Sequence, residues 1–405
     1  MRFELDPASM MFVLGRKQQR NYLIRLSAAL HEPVLERTLQ KALERAIQKY
    51  PYFFVRFVNS QNRLYAEPAT RIPAVKQIDN VCSLKLWKGH ESCEARVSYS
   101  HKTIFLEFFH AISDGKGGLE FLKCLIVEYL SILYPAERIL LDVPVILLER
   151  QLENGYQKYA EGFRTKKSSG MVFQIKGIPA QAEISSYCFS VCEIKQAAKK
   201  HNVNITEFMA VLLSFAIAGV QKESCQGNRR KRIRLLIPVN LRTRFPCDTM
   251  RNFTLNVNLE ASPGEIGDFP TMCRKLQHDM RMAIKPEQLA GQCAAAAGMC
   301  DCGIVKRLPI SMKKRLVQTG LDFSLSRNSM TFSNMGATLW PEELKIHVEA
   351  LEMVFSAKPE APYSCGVISI NDNMQLTLLR TIKEPVLERQ LERILSDQHI
   401  NFKIV

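Results

Sequence analysis

Residues 104–118 read Ile104-Phe105-Leu106-Glu107-Phe108-Phe109-His110-Ala111-Ile112-Ser113-Asp114-Gly115-Lys116-Gly117-Gly118. An apolar strand runs into a histidine, a short turn with an aspartate and glycines follows, and the apolar residues after it recur with helical spacing. The pattern predicts a strand, a turn and a helix, with His110 on the loop between them. Catalytic side chains are often found on loops that a rigid scaffold positions.

The residue types in this turn suit proton transfer. An imidazole with a pKa near 6.5 accepts a proton at neutral pH if one ring nitrogen is free, which makes His110 a candidate general base. Asp114 is predicted to turn back within the loop as a fixing charge, and Gly115 permits a close approach of strand and helix. With eight histidines, H-x-x-x-D-G should arise by chance in about 3 of 100 such chains. A structural histidine at a strand end is the alternative.

The length of the chain predicts more than one domain. A single core stops growing at roughly 250 to 300 residues, and this chain has 405. Residues 1–165 have the pattern of a strand, a helix, hairpins and a second helix. Residues 166–181 form a polar crossover linker rich in residues that interrupt helices and strands. Residues 182–405 have the pattern of a second mixture of strands and helices. We therefore predict a mixed α/β protein with an N-terminal and a C-terminal lobe.

One hexapeptide occurs twice. Glu-Pro-Val-Leu-Glu-Arg stands at residues 32–37 and again at residues 384–389. Each copy predicts a helix that begins at its proline, because proline is tolerated in the first helical turn and acidic residues favour the positive end of the helix dipole. Convergence on a good helix start explains the repeat better than duplication does.

Composition excludes several classes of protein. The longest clean apolar stretch, Ala210 to Val220, is shorter than the roughly 20 residues that span a bilayer, and the start of the chain lacks the apolar core of a secretory signal. We expect a cytoplasmic protein. Twelve cysteines are too dilute for a disulfide scaffold, and none forms the C-x-x-C pair of a metal or redox site, so no metal site is predicted.

The positive charge indicates an anionic partner. Fifty-five Lys and Arg against 40 Asp and Glu give a net charge of +15, which attracts nucleic acid, acidic lipid or a phosphorylated ligand such as coenzyme A. Charge alone does not choose among them. The sharpest basic run, Arg229-Arg230-Lys231-Arg232, leads straight into an apolar strand and is either a solvated loop or a phosphate site.

Three further segments follow the histidine motif in a recognisable order. They are Ile237-Pro238-Val239-Asn240-Leu241-Arg242, then Arg251-Asn252-Phe253, then Ser333-Asn334-Met335-Gly336. With the motif at His110, the chain resembles the coenzyme A dependent acyltransferase superfamily, which has the chloramphenicol acetyltransferase-like fold. The resemblance is strongest to the branch of alcohol acetyltransferases and condensation domains.

The resemblance implies a fold and a set of site residues. The expected fold has two chloramphenicol acetyltransferase-like lobes, each a mixed sheet flanked by helices, with the active-site tunnel between them. His110 would be the general base, and Asp114 beside Gly115 would be structural and pair with an arginine, for which Arg242 is the candidate and Arg251 the alternative. Three residues would lie near the thioester oxygen or form only a strand-end turn: Ser333, Asn334 and Gly336.

The implied activity is transfer of an acyl group, expected to be acetyl, from coenzyme A to a hydroxyl or amine of a small acceptor. Acyl-coenzyme A would be a co-substrate, with no tightly bound cofactor and no nucleic acid partner. Many condensation domains have two adjacent histidines, of which the second corresponds to His110, and Phe109 stands in place of the first, which favours alcohol acetyltransferase-like chemistry. Two alternatives stay open: a free-standing condensation enzyme supplied by an acyl or peptidyl carrier protein, and a non-catalytic binding protein with the same shell.

Overall fold

The computed structural model describes residues 2–17, 20–78, 93–135, 147–161, 171–224, 231–301, 307–358 and 360–405. The helices in this part of the chain are α1 (Pro7–Gly15), α2 (Glu36–Lys49), α3 (Gly115–Leu133), α4 (Leu148–Gln151), α5 (Gly155–Lys158), α6 (Val191–Lys200), α7 (Ile205–Ser224), α8 (Phe269–Ala283), α9 (Pro286–Asp301), α10 (Ile310–Leu325), α11 (Glu342–Lys345) and α12 (Val386–Asp397). The strands are β1 (Phe3–Glu4), β2 (Leu23–Leu30), β3 (Val55–Ser60), β4 (Arg63–Pro68), β5 (Lys76–Gln77), β6 (Ala95–Ser100), β7 (Thr103–Phe109), β8 (Pro179–Ser190), β9 (Ile233–Asn240), β10 (Thr254–Ala261), β11 (Met330–Ala337), β12 (Val348–Phe355), β13 (Tyr363–Ile370), β14 (Asn373–Ile382) and β15 (Lys403–Ile404).

The histidine motif lies in a five-stranded sheet with the order β12-β2-β7-β6-β5. Alternate residues of β7, namely Ile104, Leu106 and Phe108, are buried in one core with Leu122 and Leu125 of α3. The strand ends at Phe109 and α3 begins at Gly115, so the predicted strand, turn and helix are present. A separate three-stranded sheet has the order β1-β4-β3.

The second core is built on a seven-stranded sheet with the order β10-β9-β11-β13-β14-β8-β15. Strand β11 pairs in parallel with both β9 and β13, while the other pairs are antiparallel, so the sheet is mixed. Helices α7, α8 and α12 contribute Leu212, Leu276 and Leu391 to the core of this sheet. The expected mixed α/β architecture of sheets flanked by helices is confirmed.

Strand β12 links the two sheets. It belongs to the second half of the sequence but pairs antiparallel with β2 in the five-stranded sheet, with Leu351 opposite Ala28. The residues near His347 alternate between the two faces of a strand, a pattern that predicts a strand but does not indicate which sheet it joins. The domain boundaries stay a prediction, and residues 166–170 of the predicted linker lie outside the described residues.

The two copies of the hexapeptide start their helices at different places. The prediction that α2 begins at Pro33 is wrong, because the helix begins at Glu36 and Leu35 before it is extended, with φ −94° and ψ 111°. The N–H of Val34 donates to the carbonyl of His101 at 2.9 Å, and the N–H of Leu35 donates to the Tyr129 hydroxyl at 2.9 Å. In the second copy α12 begins directly after its proline. There the N–H of Leu387 also donates to a tyrosine hydroxyl, that of Tyr363, but the N–H of Val386 donates to the nearby Glu384 carbonyl. The tertiary bond from Val34 to His101 is therefore the contact in which the first copy differs.

Helix α7 is the one helix in the described part of the chain that is long and apolar enough to span a bilayer. Of its most apolar 18-residue window, 67% is buried inside the protein. Its Leu213 and Ile217 side chains pack in the core of the seven-stranded sheet. A helix surrounded by core residues has this composition without any membrane.

The crossing of β12 over β13 generates the first prediction. A Cβ at Gly366 would collide with the carbonyl oxygen of Met353 and lie 3.2 Å from its carbonyl carbon, and neither backbone atom can rotate away. We expect Gly366→Ala to lower the free energy of unfolding by about 1 to 3 kcal/mol, measured by urea denaturation.

Gly264 is the matched control, since a Cβ there would meet no atom within 4 Å. Gly264→Ala should change the free energy of unfolding by no more than about 0.5 kcal/mol. Equal midpoints for the two variants would contradict the close crossing of β12 and β13.

Candidate active site

His110 directly follows β7 and is held by neighbours from distant parts of the chain. Its backbone N–H donates to the carbonyl of Tyr22 at 2.8 Å, and Asn252 Nδ2 donates to its carbonyl oxygen at 2.8 Å. The imidazole Nδ1 lies 3.1 Å from the carbonyl oxygen of Ser113. Because a carbonyl oxygen can only accept, Nδ1 carries the proton and Nε2 of the neutral ring is the unprotonated nitrogen.

The surroundings favour the neutral form of this ring. Burial lowers the pKa of His110 below its usual value of 6.5, because an imidazolium inside the protein loses its hydration. The backbone carbonyls of His110 and Ser113 and the charge of Asp114 act in the opposite direction but do not reverse the shift. At neutral pH the side chain is therefore ready to accept a proton.

Asp114 is the N-cap of α3 and is 1% exposed. Its Oδ1 accepts a hydrogen bond from the N–H of Gly117 at 3.0 Å, which satisfies a free donor of the first helical turn. Its Oδ2 accepts from the N–H of Phe253 and from Arg242 Nη1, both at 2.8 Å. The carboxylate thus joins the histidine turn to a segment about 130 residues later in the chain.

Arg242 is oriented by several acceptors besides Asp114. It lies on a 3₁₀ turn after β9, its Nε donates to the Thr249 carbonyl at 2.9 Å, and its Nη2 donates to the Arg251 carbonyl at 2.5 Å. Burial alone would lower the pKa of the guanidinium, but the charge and hydrogen bond of Asp114 outweigh it and raise that pKa. The side chain is a permanently charged clamp.

Arg251, the alternative partner, is engaged elsewhere. Its Nε lies 2.9 Å from Asp6 Oδ2, and its Nη2 donates to the Glu4 carbonyl at 2.9 Å. Asp6 caps α1 and both side chains of this pair are nearly buried. Of the two arginines, Arg242 is the one that contacts Asp114.

The predicted strand-end turn lies on β11. Asn334 Nδ2 donates to Thr206 Oγ1 at 3.0 Å, and Asn334 Oδ1 accepts from the N–H of Gly336 at 2.8 Å. Gly336 has φ +71°, a conformation that favours glycine. The hydroxyl of Ser333 has no hydrogen-bond partner within the described residues.

Strand β11 reaches the first turn of α3. A Cβ on Gly115 would lie 2.8 Å from Met335 Sδ, so the Met335 side chain packs directly on this glycine. Pairing along β11 is regular up to Asn334, so Ser333 lies on the face opposite to Phe332, which is buried in the core of the seven-stranded sheet. Asn334 lies on the opposite side, where its amide contacts α7.

The remaining sequence candidates lie away from this cluster or outside the described residues. Lys231 is exposed, whereas Arg229 and Arg230 fall outside the part of the chain that is described, so the assignment of this run to a phosphate site stays a prediction. His101 is in an exposed turn with φ +48°, and the ring of His347 stacks on Tyr134 at 5.0 Å.

Two neighbours of His110 were not expected from the sequence. Asn252 was noticed only as part of the segment Arg251-Asn252-Phe253, with no role assigned to its amide. The ring of Phe12, which lies 4.2 Å from the His110 ring at an interplanar angle of 20°, comes from α1. No motif near Phe12 indicates this contact, because the two residues are 98 positions apart and meet only in the folded chain.

An open cavity of about 430 Å³ lies at the other end of β7. It is lined by residues of β2, β7, β8 and β12, including Ser27, Thr103, Ser186 and Glu352. At about 3.3 Å per residue, Thr103 is roughly 20 Å from His110 along the strand. The cavity is therefore separate from the candidate active site.

The contact between Asp114 and Arg242 generates the second prediction. Asp114→Asn removes the charge that a buried guanidinium faces, and breaking a buried pair from one side costs about 3 to 5 kcal/mol. We expect a loss of this size in the free energy of unfolding, and Arg242→Gln should cause a similar one. A double-mutant cycle should give a coupling of more than about 0.5 kcal/mol.

Arg150 and Asp248 form the control pair. Their charged atoms lie 3.3 Å apart, but both side chains are more than half exposed, at 67% and 56%. Asp248→Asn should change the free energy of unfolding by about 1 kcal/mol at most. A cycle between Asp114 and Arg242 that gives no more coupling than this exposed pair would mean that the two do not act together.

Comparison with known proteins identifies the fold. No family model matches the chain, and no curated protein sequence matches it. Three solved structures illustrate the match. For each of them, the first percentage of coverage refers to this chain and the second to the other chain. TRI101 of F. graminearum, complexed with coenzyme A and T-2 mycotoxin, is 12% identical with a TM-score of 0.66 over 100% and 99%. TRI3 trichothecene 15-O-acetyltransferase from Fusarium sporotrichioides is 13% identical with a TM-score of 0.61 over 98% and 95%.

The third structure is a mutant starter condensation domain of rhizomide synthetase in complex with C8-CoA and Leu-SNAC. It is 12% identical, with a TM-score of 0.62 over 98% of this chain and 93% of that one. At these identities the comparison defines the architecture. The chain has the chloramphenicol acetyltransferase-like fold that acetyltransferases and condensation domains share, as its sequence motifs indicated.

Proposed function

We propose that the protein transfers an acyl group, expected to be acetyl, from a coenzyme A thioester to a hydroxyl or amine of a small acceptor. The observation that carries the proposal is the hydrogen bond between His110 Nδ1 and the Ser113 carbonyl, since it leaves Nε2 as a free base. The solved structures of the same fold that hold coenzyme A or C8-CoA support this class of donor.

The reaction needs one base and no acyl-enzyme. His110 Nε2 takes the proton of the acceptor hydroxyl as the acceptor oxygen attacks the thioester carbonyl carbon. Collapse of the tetrahedral intermediate breaks the carbon–sulfur bond. The imidazolium then gives its proton to the departing thiolate, which leaves coenzyme A as the free thiol and the histidine neutral again.

Ser333 is our candidate for stabilising the negative charge that develops on the thioester oxygen. Its hydroxyl has no partner in the described part of the chain, and it lies on the face of β11 opposite to Asn334, two residues before Met335, whose side chain reaches Gly115. A preorganised donor at such an oxygen contributes roughly a hundred- to a thousandfold to turnover. Asn334 and Gly336, which hydrogen-bond to each other, would shape the turn that carries Ser333.

Asp114 and Arg242 would hold the histidine loop in place and would take no part in proton transfer. Both carboxylate oxygens of Asp114 accept hydrogen bonds from the protein, and its position under the first turn of α3 fixes the loop that begins at His110. Substrates would meet in a tunnel between the five- and seven-stranded sheets, because the side chains of both sheets converge at this loop.

A condensation reaction with a carrier-bound donor is the second candidate. It is favoured by the condensation domains among the solved structures with this fold. The two candidates differ in the donor, because a carrier-protein enzyme accepts an acyl group on a phosphopantetheine arm. Comparison of acetyl-coenzyme A with an acylated carrier protein as donor, with the same acceptor, separates them.

Thiol release tests the proposed function. The purified protein is incubated with acetyl-coenzyme A and a panel of alcohols and amines, and free thiol is measured. We expect release above the rate in buffer with at least one acceptor, and a loss of roughly a hundredfold or more in His110→Ala, because general base catalysis contributes that much. His101→Ala, at an exposed turn, is the matched control and should keep full turnover.

Retention of more than about a tenth of the wild-type turnover in His110→Ala would exclude His110 as the base. Absence of thiol release with every donor and acceptor would favour a non-catalytic binding protein with the same fold.

The lowered pKa of His110 predicts the pH dependence of kcat/KM. The active form is the neutral ring, which exists above the pKa of the folded protein, so activity is lost as the pH falls through that value. Because burial lowers this pKa, the acidic limb should have its midpoint below pH 6.5. A midpoint above 6.5 in a kcat/KM profile would contradict a partly buried His110 whose pKa is lowered.

A further inference from the structure

One face of the His110 ring is covered by an aromatic side chain. The rings of Phe12 and His110 are stacked, with centroids 4.2 Å apart and an interplanar angle of 20°. The rings of Phe12 and Tyr22 form an edge contact, with centroids 5.0 Å apart and an interplanar angle of 63°. Phe12 therefore contacts both a buried tyrosine ring and the candidate base.

The stacking of Phe12 on His110 restricts a rotation of the imidazole that its hydrogen bond to Ser113 does not restrict. The contact between Nδ1 and the Ser113 carbonyl fixes one atom of the ring but lets the ring rock about the broad χ2 torsion. Aromatic contact on one face opposes that motion. Together the two contacts fix the direction in which Nε2 points.

The helix that carries Phe12 is tied to the histidine turn. Asp6 Oδ1 accepts from the N–H of Ser9 at 2.8 Å and caps α1. The Ser9 hydroxyl oxygen lies 2.7 Å from the carbonyl oxygen of Ala111, the residue after His110. Phe12 is three residues after Ser9 and so lies on the same face of the helix.

A second buried ion pair anchors this helix. Asp6 Oδ2 lies 2.9 Å from Arg251 Nε, and the carbonyl of Arg251 accepts the hydrogen bond of Arg242 Nη2. The pairs Asp114–Arg242 and Asp6–Arg251 therefore share one segment of backbone. That segment sets the position of the histidine turn and of α1 at the same time.

We propose that Phe12 is a positioning residue for His110: α1, anchored by the Asp6–Arg251 pair, presses the phenyl ring on the imidazole and so aims Nε2 at the acceptor. The structural part of this inference is independent of the reaction. Its kinetic part rests on the proposed function, in which His110 is the base.

The test replaces the ring but keeps an apolar side chain. In Phe12→Leu, NMR of the His110 imidazole, assigned with His110→Gln, should lose the upfield ring-current shift of its carbon-bound protons and show a lower order parameter for the ring. Turnover should fall about tenfold or more, since misplacement of a reacting group is costly, while KM for acetyl-coenzyme A stays within about twofold. Phe12→Tyr, which keeps the ring, should restore all three properties.

Phe57→Leu is the matched control. Phe57 packs against Phe109, next to His110 in sequence, at 5.8 Å in an edge contact and does not contact the imidazole. It should leave the His110 resonances and turnover near their wild-type values. If the leucine variant at position 12 does not fold, Phe12→Met takes its place with the same expected results.

The outcomes separate this inference from the proposed function. Unchanged His110 resonances and an unchanged order parameter in Phe12→Leu would contradict the claim that Phe12 stacks on the imidazole and orders it. Altered resonances with unchanged turnover would overturn the positioning role. A wild-type protein without acyl transfer would overturn the proposed function, and the NMR measurements would still decide whether Phe12 orders the ring.

Discussion

The buried carboxylate of Asp114 is the interaction on which the arrangement of the site depends. A carboxylate with 1% exposure is stable only if its lost hydration is replaced, and here the N–H groups of Gly117 and Phe253 and the guanidinium of Arg242 replace it. One donor belongs to the helix after the histidine turn and two belong to the second half of the chain. Satisfying this one charge therefore brings the parts of the site together.

The same segment that neutralises Asp114 also holds the other neighbours of His110. Asn252 donates to the His110 carbonyl, while Arg251 anchors α1 through Asp6. Because the segment from Arg242 to Phe253 contacts both the turn and α1, a shift of this segment moves the base and the ring that covers it together. Preorganisation of this kind lets a neutral histidine act without rearrangement during the reaction.

Local sequence predicted the elements of the fold well and their associations poorly. The pattern around His110 predicted the strand β7, the turn and the helix α3, because each of the two elements buries a regular face. Local patterning could not assign β12 to the sheet of the first half, since alternation does not encode the partner strand. The two identical hexapeptides differ in helix start for the same reason: the N–H of Val34 donates to the distant His101 carbonyl, whereas the N–H of Val386 donates to the nearby Glu384 carbonyl.

The sequence by itself determined the chemistry that the site offers: an imidazole at a strand end, an aspartate able to cap the next helix, and glycines where backbones approach. With the family resemblance, it also narrowed the arginine that meets Asp114 to two candidates, Arg242 and Arg251, which stand two and eleven residues beyond the end of β9. Only the tertiary structure decided between Arg242 and Arg251, because the choice depends on which side of the 240–253 segment faces the turn. Only the tertiary structure brought Phe12 onto His110, because contacts between residues 98 positions apart arise from packing of whole elements, which no local pattern records.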